Sequence, residues 1–313
     1  MKKLNTSGMK GELKKKQTWC ISTSAFLPLN SWQNSTNISF PAEVKLNIFI
    51  HMSIEHHPYR HVVSAGYSDF FNRRTVQPAA MMSYLEESAA GHCHSIGQDL
   101  FTLLEKGQGW VLTGGSMRIV RYPEYGETIV IETWISEWKG FTGIREYRIS
   151  TLKGEVLGEA GGRWVYWDVN YRKPLPIPEI FKKSWFIDRD SPYRRMYPES
   201  TTPVFPAALP GVNDESRINL RVRRGDVDLY GHLHNTCYMD WLMESVPDSL
   251  YRDSEPREMG IRFLGEALLG DEVIFTTRNV FKGLIHEVKR LKDGKLLARG
   301  FSEWVDKKDK LTA

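Results

Sequence analysis

A five-residue pattern occurs twice in this chain and decides its fold. Its two copies, 157 residues apart, are Tyr84-Leu85-Glu86-Glu87-Ser88 and Trp241-Leu242-Met243-Glu244-Ser245. Each lies in a stretch whose apolar residues recur at helical spacing. Pro78 suits the first turn of the earlier stretch, while Asn235 is placed to cap the later one and Pro247 to stop it. We predict one long apolar helix in each half of the chain.

Strands accompany both helices in the same order. Alternating and β-branched runs predict strands at 110–122, 128–134, 145–152 and 159–167, and again at 217–223, 258–264, 272–280, 286–291 and up to 304. Gly154 and Gly294 mark turns 140 residues apart, and Trp164 and Trp304 have the same offset. The chain is therefore predicted to be α+β, with two tandem copies of a long helix wrapped by an antiparallel sheet.

Composition excludes several classes of protein. The 313 residues carry a formal charge of +4, but residues 1–51 hold seven Lys and two Glu, a net +5 that leaves the remainder at −1. No nucleic-acid partner is expected, because such a partner needs a basic folded face. No apolar run is long enough for a spanning helix, so no stable membrane insertion is expected. Three cysteines without a CxxC spacing argue against a disulfide framework and a thiolate zinc site.

The pattern changes along the chain and suggests boundaries. Residues 1–51 show neither the helical nor the strand period of apolar residues. They are predicted to be a disordered extension, with Met52 as the working start. A transit peptide is the alternative, against which the absence of Arg argues. Prolines without periodicity predict a linker at 191–211. The two copies of the unit are then expected at 53–190 and 212–309.

One stretch carries side chains suited to acid–base chemistry. It reads Asp226-Val227-Asp228-Leu229-Tyr230-Gly231-His232-Leu233-His234-Asn235, followed by Tyr238. A carboxylate and an imidazole lie in a Gly-containing loop before a buried helix, whose free N–H groups suit a carbonyl that gains negative charge. Asp228 and His232 could orient each other, or either could act on a water. A loop whose polar groups only satisfy the backbone is the alternative.

This loop, Asp-x-Asp-x-x-Gly-His-x-x-Asn-x-x-Tyr, resembles that of hotdog-fold thioesterases. Segments 110–113, 121–128, 132–134 and 163–165 look like the first half of acyl-acyl-carrier-protein thioesterases, and 226–247 is similar to their catalytic half. The resemblance covers about residues 58–306. It implies two tandem hotdog domains, an acyl pocket in the first, catalytic residues in the second, and no metal or organic cofactor. The implied reaction is hydrolysis of fatty acyl-acyl-carrier-protein, which ends fatty-acid synthesis.

The resemblance also implies which residues act. Those that match the family's catalytic Asp, His and Glu are Asp228, His232 and Glu266. The family's loop Asn is Tyr230 here, and Ala267 replaces the Cys of plant members, which removes a thiol nucleophile. Residues expected to support the site are Tyr230, His234, Asn235 and Tyr238. Either Glu266 or His232 activates water, or Asp228 attacks to form an anhydride that water opens, and the sequence does not choose.

The first half lacks these groups. Aligning the helices places Phe71 opposite Asp228 and Thr75 opposite His232, so one site per chain is predicted. Residues of the first helix expected to line the acyl pocket, with plain core packing as the alternative, are Met81, Met82 and Tyr84. In His92-Cys93-His94, alternate side chains diverge on a helix, so no metal is predicted.

The predicted function is therefore an acyl-acyl-carrier-protein thioesterase in the cytoplasm, or in the plastid if residues 1–51 are a transit peptide. A hotdog thioesterase acting on acyl-CoA is the nearest alternative. A non-catalytic acyl-binding protein is the second alternative, because Tyr230 in place of Asn removes one polarising group. The sequence leaves open the acyl-chain length and whether two chains pair as a homodimer.

Overall fold

A computed structural model describes residues 57–70, 74–185, 187, 215–280 and 283–307, all within the structural unit 52–313. The predicted extension at 1–51, the predicted linker at 191–211 and Phe71 lie outside the described residues. No helix in the described ranges combines the length and the apolar character needed to span a bilayer.

Each half combines short and long helices with antiparallel strands. The first half contains β1 (Tyr59–Ser64), α1 (Pro78–His94), α2 (Leu100–Glu105), β2 (Gln108–Ile119), β3 (Thr128–Lys139), β4 (Thr142–Thr151), β5 (Val156–Asp168), β6 (Lys173–Pro174) and α3 (Glu179–Trp185). The second half contains β7 (Glu215–Arg221), α4 (Asn235–Glu244), α5 (Asp248–Asp253), β8 (Ser254–Phe263), β9 (Glu272–Val280), β10 (Gly283–Arg290) and β11 (Leu296–Asp306). The strands predicted from the sequence are all present, most with shifted ends, and β9 has the predicted bounds.

One antiparallel sheet runs through both halves. Its strand order is β1-β3-β4-β5-β2-β8-β11-β10-β9-β7, with β6 paired to β5. The halves join where 114–118 of β2 pair with 258–262 of β8. The central helices α1 and α4 contact each other, and one buried apolar cluster draws residues from both halves. The predicted α+β fold, two tandem units of helix and antiparallel sheet, is confirmed.

Equivalent positions in the two halves have equivalent local geometry. An isolated β-bridge joins Thr75 to Glu124 in the first half, and another joins His232 to Leu268 in the second. Thr75 therefore occupies the place of His232, as the helix alignment predicts. The first half thus presents a threonine hydroxyl where the second presents an imidazole.

The cap of α4 differs from the prediction. His234, not Asn235, is the N-cap, and its side chain accepts the N–H of Thr236. The reason is that the Asn235 amide is engaged elsewhere, since it donates to Glu86 of α1 at 2.9 Å. The helix ends at Glu244 rather than near Pro247, which precedes the first residue of α5.

The His92-Cys93-His94 segment belongs to a packed aromatic region. His92 lies 3.1 Å from a guanidinium nitrogen of Arg145, and its ring stacks on Tyr59 at a centroid distance of 5.2 Å. Burial lowers the pKa of His92 to about 2, and the charge of Arg145 acts in the same direction. Cys93 is buried and His94 is exposed. Within the described ranges, no three His, Cys, Asp or Glu side chains group as metal ligands.

Candidate active site

The loop before α4 folds around the carboxylate of Asp228. Its Oδ1 accepts the backbone N–H of Tyr230 at 2.9 Å and that of His232 at 3.0 Å. The loop backbone closes with a 2.8 Å bond from the Asp228 N–H to the His232 carbonyl. Gly231 has φ +79, a left-handed conformation that glycine adopts without steric cost. The tight turn therefore places an acidic residue, Asp228, and a basic one, His232, four positions apart in one loop.

The imidazole of His232 faces Glu266, which follows β8. The distance from Nε2 of His232 to Oε2 of Glu266 is 3.4 Å. That same oxygen accepts a hydrogen bond from the guanidinium of Arg172, which belongs to the turn between β5 and β6. The side chains of His232 and Glu266 are 26% and 39% exposed, so a substrate can reach them. The structure therefore brings Asp228, His232 and Glu266 together.

Glu86 of α1 is a member of this site that sequence reasoning missed. Its Oε1 accepts from Asn235 at 2.9 Å, and its Oε2 lies 3.6 Å from Nε2 of His234. Burial raises the pKa of Glu86 above its usual range and the charge of Asp228 adds to this, while His234 and Asn235 act against it. One signal was available, because Glu86 follows Met82 by one helical turn on an otherwise apolar face.

The two tyrosines of the predicted site, Tyr230 and Tyr238, are held mainly by packing. Within the described part of the chain, the buried hydroxyl of Tyr230 has no hydrogen-bond partner, while that of Tyr238 lies near the backbone N–H of Ala267. The Tyr230 hydroxyl lies against the backbone of β2 at Gly109, where any side chain would collide with it. Burial raises the pKa of Tyr230, and the nearby charge of Asp228 adds to the shift. Tyr238 meets Phe263 edge to face at a centroid distance of 5.3 Å.

An apolar cavity lies between the halves, with Glu86 in its wall. Its lining comes from α1, β2, β4, β5, α4 and β8, and includes Met82, Glu86, Tyr147, Ala160, Met239 and Ile261. Of the predicted pocket residues, only Met82 lines this cavity. Met81 is fully buried in the core, and the Tyr84 hydroxyl donates to Asp69 at 2.5 Å. The cavity therefore approaches the Asp228 loop through Glu86, which contacts His234 and Asn235 at the start of α4.

The fold and the site define a tandem hotdog protein with a single Asp–His loop. The sequence matches the family model of the acyl-ACP thioesterase N-terminal domain over residues 57–184. It matches the family model of the C-terminal domain over residues 211–305. The chain belongs to the acyl-ACP thioesterase family.

Two curated plant proteins illustrate the relationship. Acyl-[acyl-carrier-protein] hydrolase FATB3, chloroplastic, of Cuphea viscosissima is 25% identical over an alignment of 262 positions that covers 74% of this chain and 58% of that protein. Oleoyl-acyl carrier protein thioesterase 1, chloroplastic, of Arabidopsis thaliana is 24% identical over an alignment of 262 positions that covers 74% of this chain and 72% of that protein. The chain thus spans more than half of the first relative and nearly three quarters of the second.

Solved structures confirm the hotdog fold. An acyl-ACP thioesterase from Bacteroides thetaiotaomicron superposes with a TM-score of 0.67 at 19% identity, covering 79% of this chain and 97% of that one. The 12:0-ACP thioesterase from Umbellularia californica gives a TM-score of 0.68 at 19% identity, covering 80% and 97%. Both matches extend over the two tandem halves.

Proposed function

We propose that this protein hydrolyses the thioester of fatty acyl-acyl-carrier-protein and releases the free fatty acid, which ends fatty-acid synthesis. The observation that carries this proposal is the approach of His232 to Glu266 in the loop that Asp228 orders. Glu86 links the helix start after that loop to an apolar cavity that both halves line. Membership of the acyl-ACP thioesterase family supports the carrier protein as partner.

The geometry favours a water mechanism over attack by Asp228. Oδ1 of Asp228 accepts two backbone N–H groups, which fixes the carboxylate and lowers its nucleophilicity. The imidazole of His232, oriented by Glu266, takes a proton from water as the water oxygen bonds to the thioester carbon. The carbon–sulfur bond then breaks and the imidazolium returns the proton to the leaving thiolate. At the N-terminus of α4, where Thr236 and Cys237 donate to His234, the backbone N–H of Asn235 is the group proposed to stabilise the transient oxyanion.

The acyl chain lies in the apolar cavity in this proposal. Burying its methylenes there contributes about 0.8 kcal/mol each, which favours long acyl chains over short ones. Tyr230, His234, Asn235 and Tyr238 shape the surroundings of the reacting carbonyl. No metal or organic cofactor takes part in the proposed reaction.

The carrier preference is tested with one acyl chain on two carriers. The full chain is offered the same fatty acyl group on acyl carrier protein and on CoA, and kcat/KM is compared. We expect a clear preference for the carrier protein. A clear preference for CoA would assign the protein to the acyl-CoA thioesterases instead.

Three further assignments belong to this proposal. We place residues 1–51 outside the catalytic body, with the two hotdog domains at 53–190 and 212–309. We place the enzyme in the cytoplasm, with the plastid as the alternative suggested by the chloroplastic relatives. Cell fractionation tests the location, and sedimentation of the purified chain tests whether it forms a homodimer.

A further inference from the structure

Arg172 connects the first half to the catalytic loop of the second. It lies in the turn between β5 and β6, yet its guanidinium donates to Oε2 of Glu266, 94 positions further along the chain. This is the oxygen that lies 3.4 Å from Nε2 of His232. One carboxylate oxygen therefore stands between a permanent cation and the imidazole proposed as the base.

The turn that presents Arg172 is a defined structure. Oδ1 of Asp168 accepts the backbone N–H groups of Asn170 at 3.0 Å and Tyr171 at 2.9 Å. Directly afterwards, Lys173 and Pro174 pair with the end of β5. Arg172 has φ +52 and is the one non-glycine with a positive φ among the described residues. Such a conformation costs free energy in a side-chain-bearing residue and persists where the surroundings impose it.

The other charged groups near Glu266 do not replace this contact. Arg290 of β10 approaches only the backbone carbonyl of Glu266, at 3.4 Å, and its guanidinium binds Asp293 at 2.6 Å. Tyr238 of α4 is a neutral phenol, and burial raises its pKa further. Among the described residues, the carboxylate of Glu266 thus has two partners, Arg172 and His232.

We propose that Arg172 is a positioning residue, which the first half supplies to the site of the second. It holds the Glu266 carboxylate against His232, so that the imidazole keeps the ring orientation needed to take a proton from water. The inference rests on the proposed function. It gives the first half a part in the chemical step in addition to lining the cavity.

The test compares Arg172→Gln with Lys173→Gln in the full chain. Both remove one positive charge from the same turn, but the Lys173 ammonium lies over the Tyr171 ring at 5.3 Å. We expect Arg172→Gln to lower kcat about tenfold with KM within about twofold, and Lys173→Gln to leave kcat unchanged. Arg172→Lys should restore part of kcat, because a charge remains without the planar fork. A rise in KM with kcat preserved would contradict a positioning role.

A double variant separates positioning from general damage. If Arg172 acts through Glu266, Arg172→Gln combined with Glu266→Gln loses no more kcat than Glu266→Gln alone. If the kcat loss of the double variant equals the product of the two single losses, the inference is overturned. The rates are measured on whichever carrier the wild type prefers, so a wrong carrier assignment leaves this result readable.

A spectroscopic measurement separates this inference from the proposed activity. Long-range ¹H–¹⁵N spectra of the His232 ring report its tautomer and hydrogen bonding without any substrate. We expect Arg172→Gln and Glu266→Gln to produce the same change in these signals, and Lys173→Gln to produce none. An unchanged His232 signal in Arg172→Gln would refute the inference even if the enzyme hydrolyses acyl-acyl-carrier-protein.

Discussion

The two halves share one plan but fill the space beside the central helix differently. In the first half Tyr147 pairs across the sheet with Thr133, and its side chain lines the apolar cavity. In the second half His286 pairs with Thr277 and hydrogen-bonds to it at 2.7 Å. His286 also lies 2.9 Å from the Ser302 hydroxyl, which completes a buried polar cluster. The comparison shows that the first half leaves room for a cavity at this position, whereas the second half fills it with a buried polar cluster.

The loops before the central helices differ in the same complementary way. Thr75 donates its hydroxyl to Glu255 at 3.0 Å, whereas His232 at the equivalent place faces Glu266. Thr75 therefore completes a contact between the halves, whereas His232 faces the carboxylate with which we propose that it acts. Four experiments sharpen or break this division between pocket and chemistry.

The largest effect is expected for Asp228→Asn. The amide keeps the size of the side chain and one oxygen for the Tyr230 and His232 N–H groups, but it removes the negative charge. We expect kcat/KM to fall at least about 100-fold, since the charged carboxylate accepts both N–H groups and so shapes the loop that presents the His232 imidazole. Steady-state hydrolysis of acyl-acyl-carrier-protein measures it. A loss below fivefold would move the chemistry away from this loop.

Glu86→Gln tests whether the first half contributes only a pocket. The amide retains the volume but puts an N–H donor in place of one of the two oxygens that face Asn235 and His234. We expect about a tenfold loss of kcat/KM, because one of these two contacts beside the loop is lost. Glu87→Gln on the exposed neighbouring position is the matched control and should be near wild type. Equal rates for both variants would show that Glu86 is only part of the wall.

Ala160→Leu makes the first half resemble the second by filling the cavity. Ala160 is 2% exposed and lines the cavity on β5. We expect the fatty acids released by cells that express the protein to shift to shorter chains by a few carbons, because the added side chain occupies part of the bore. Glu159→Leu, one residue earlier on the opposite face of β5, is the control. An unchanged chain-length profile would place the acyl chain elsewhere.

The smallest effect concerns stability and the polar cluster of the second half. Burial lowers the pKa of His286 to about 3, so the unfolded chain binds a proton near pH 6.5 while the folded chain does not. Its contribution to stability is complete above pH 6.5 and is lost as the pH falls towards 3. This histidine should account for about 2 kcal/mol of the loss in unfolding free energy between pH 7 and pH 5.

Urea unfolding of His286→Asn at both pH values tests this expectation. The variant should lose less stability on acidification than the wild type, whatever its stability at pH 7. His94→Asn is the control, since the His94 side chain is 79% exposed. An identical pH dependence in the wild type and His286→Asn would show that His286 is protonated in the folded protein.

The sequence predicts the periodic pattern within one helix or strand better than the contacts between residues of two different elements. Hydropathy periods locate the strands, and the Asp228 loop is recognisable from local spacing alone. Glu86 and Arg172 were missed because their partners lie 149 and 94 positions away. Met81 shares the apolar period of Met82, and a period alone does not separate a core residue from one that borders a cavity.

The central claim is that only the second half carries the catalytic residues. Its most direct test is to compare His232→Ala with Thr75→Ala, which truncate the side chains at equivalent positions of the two halves. We predict that His232→Ala reduces acyl-acyl-carrier-protein hydrolysis at least about 100-fold, while Thr75→Ala stays within about threefold of wild type. The lost contact to Glu255 then appears in stability rather than in rate. Cleavage by His232→Ala at the wild-type rate, above a no-enzyme background, would contradict the catalytic assignment and favour a protein that only binds acyl chains.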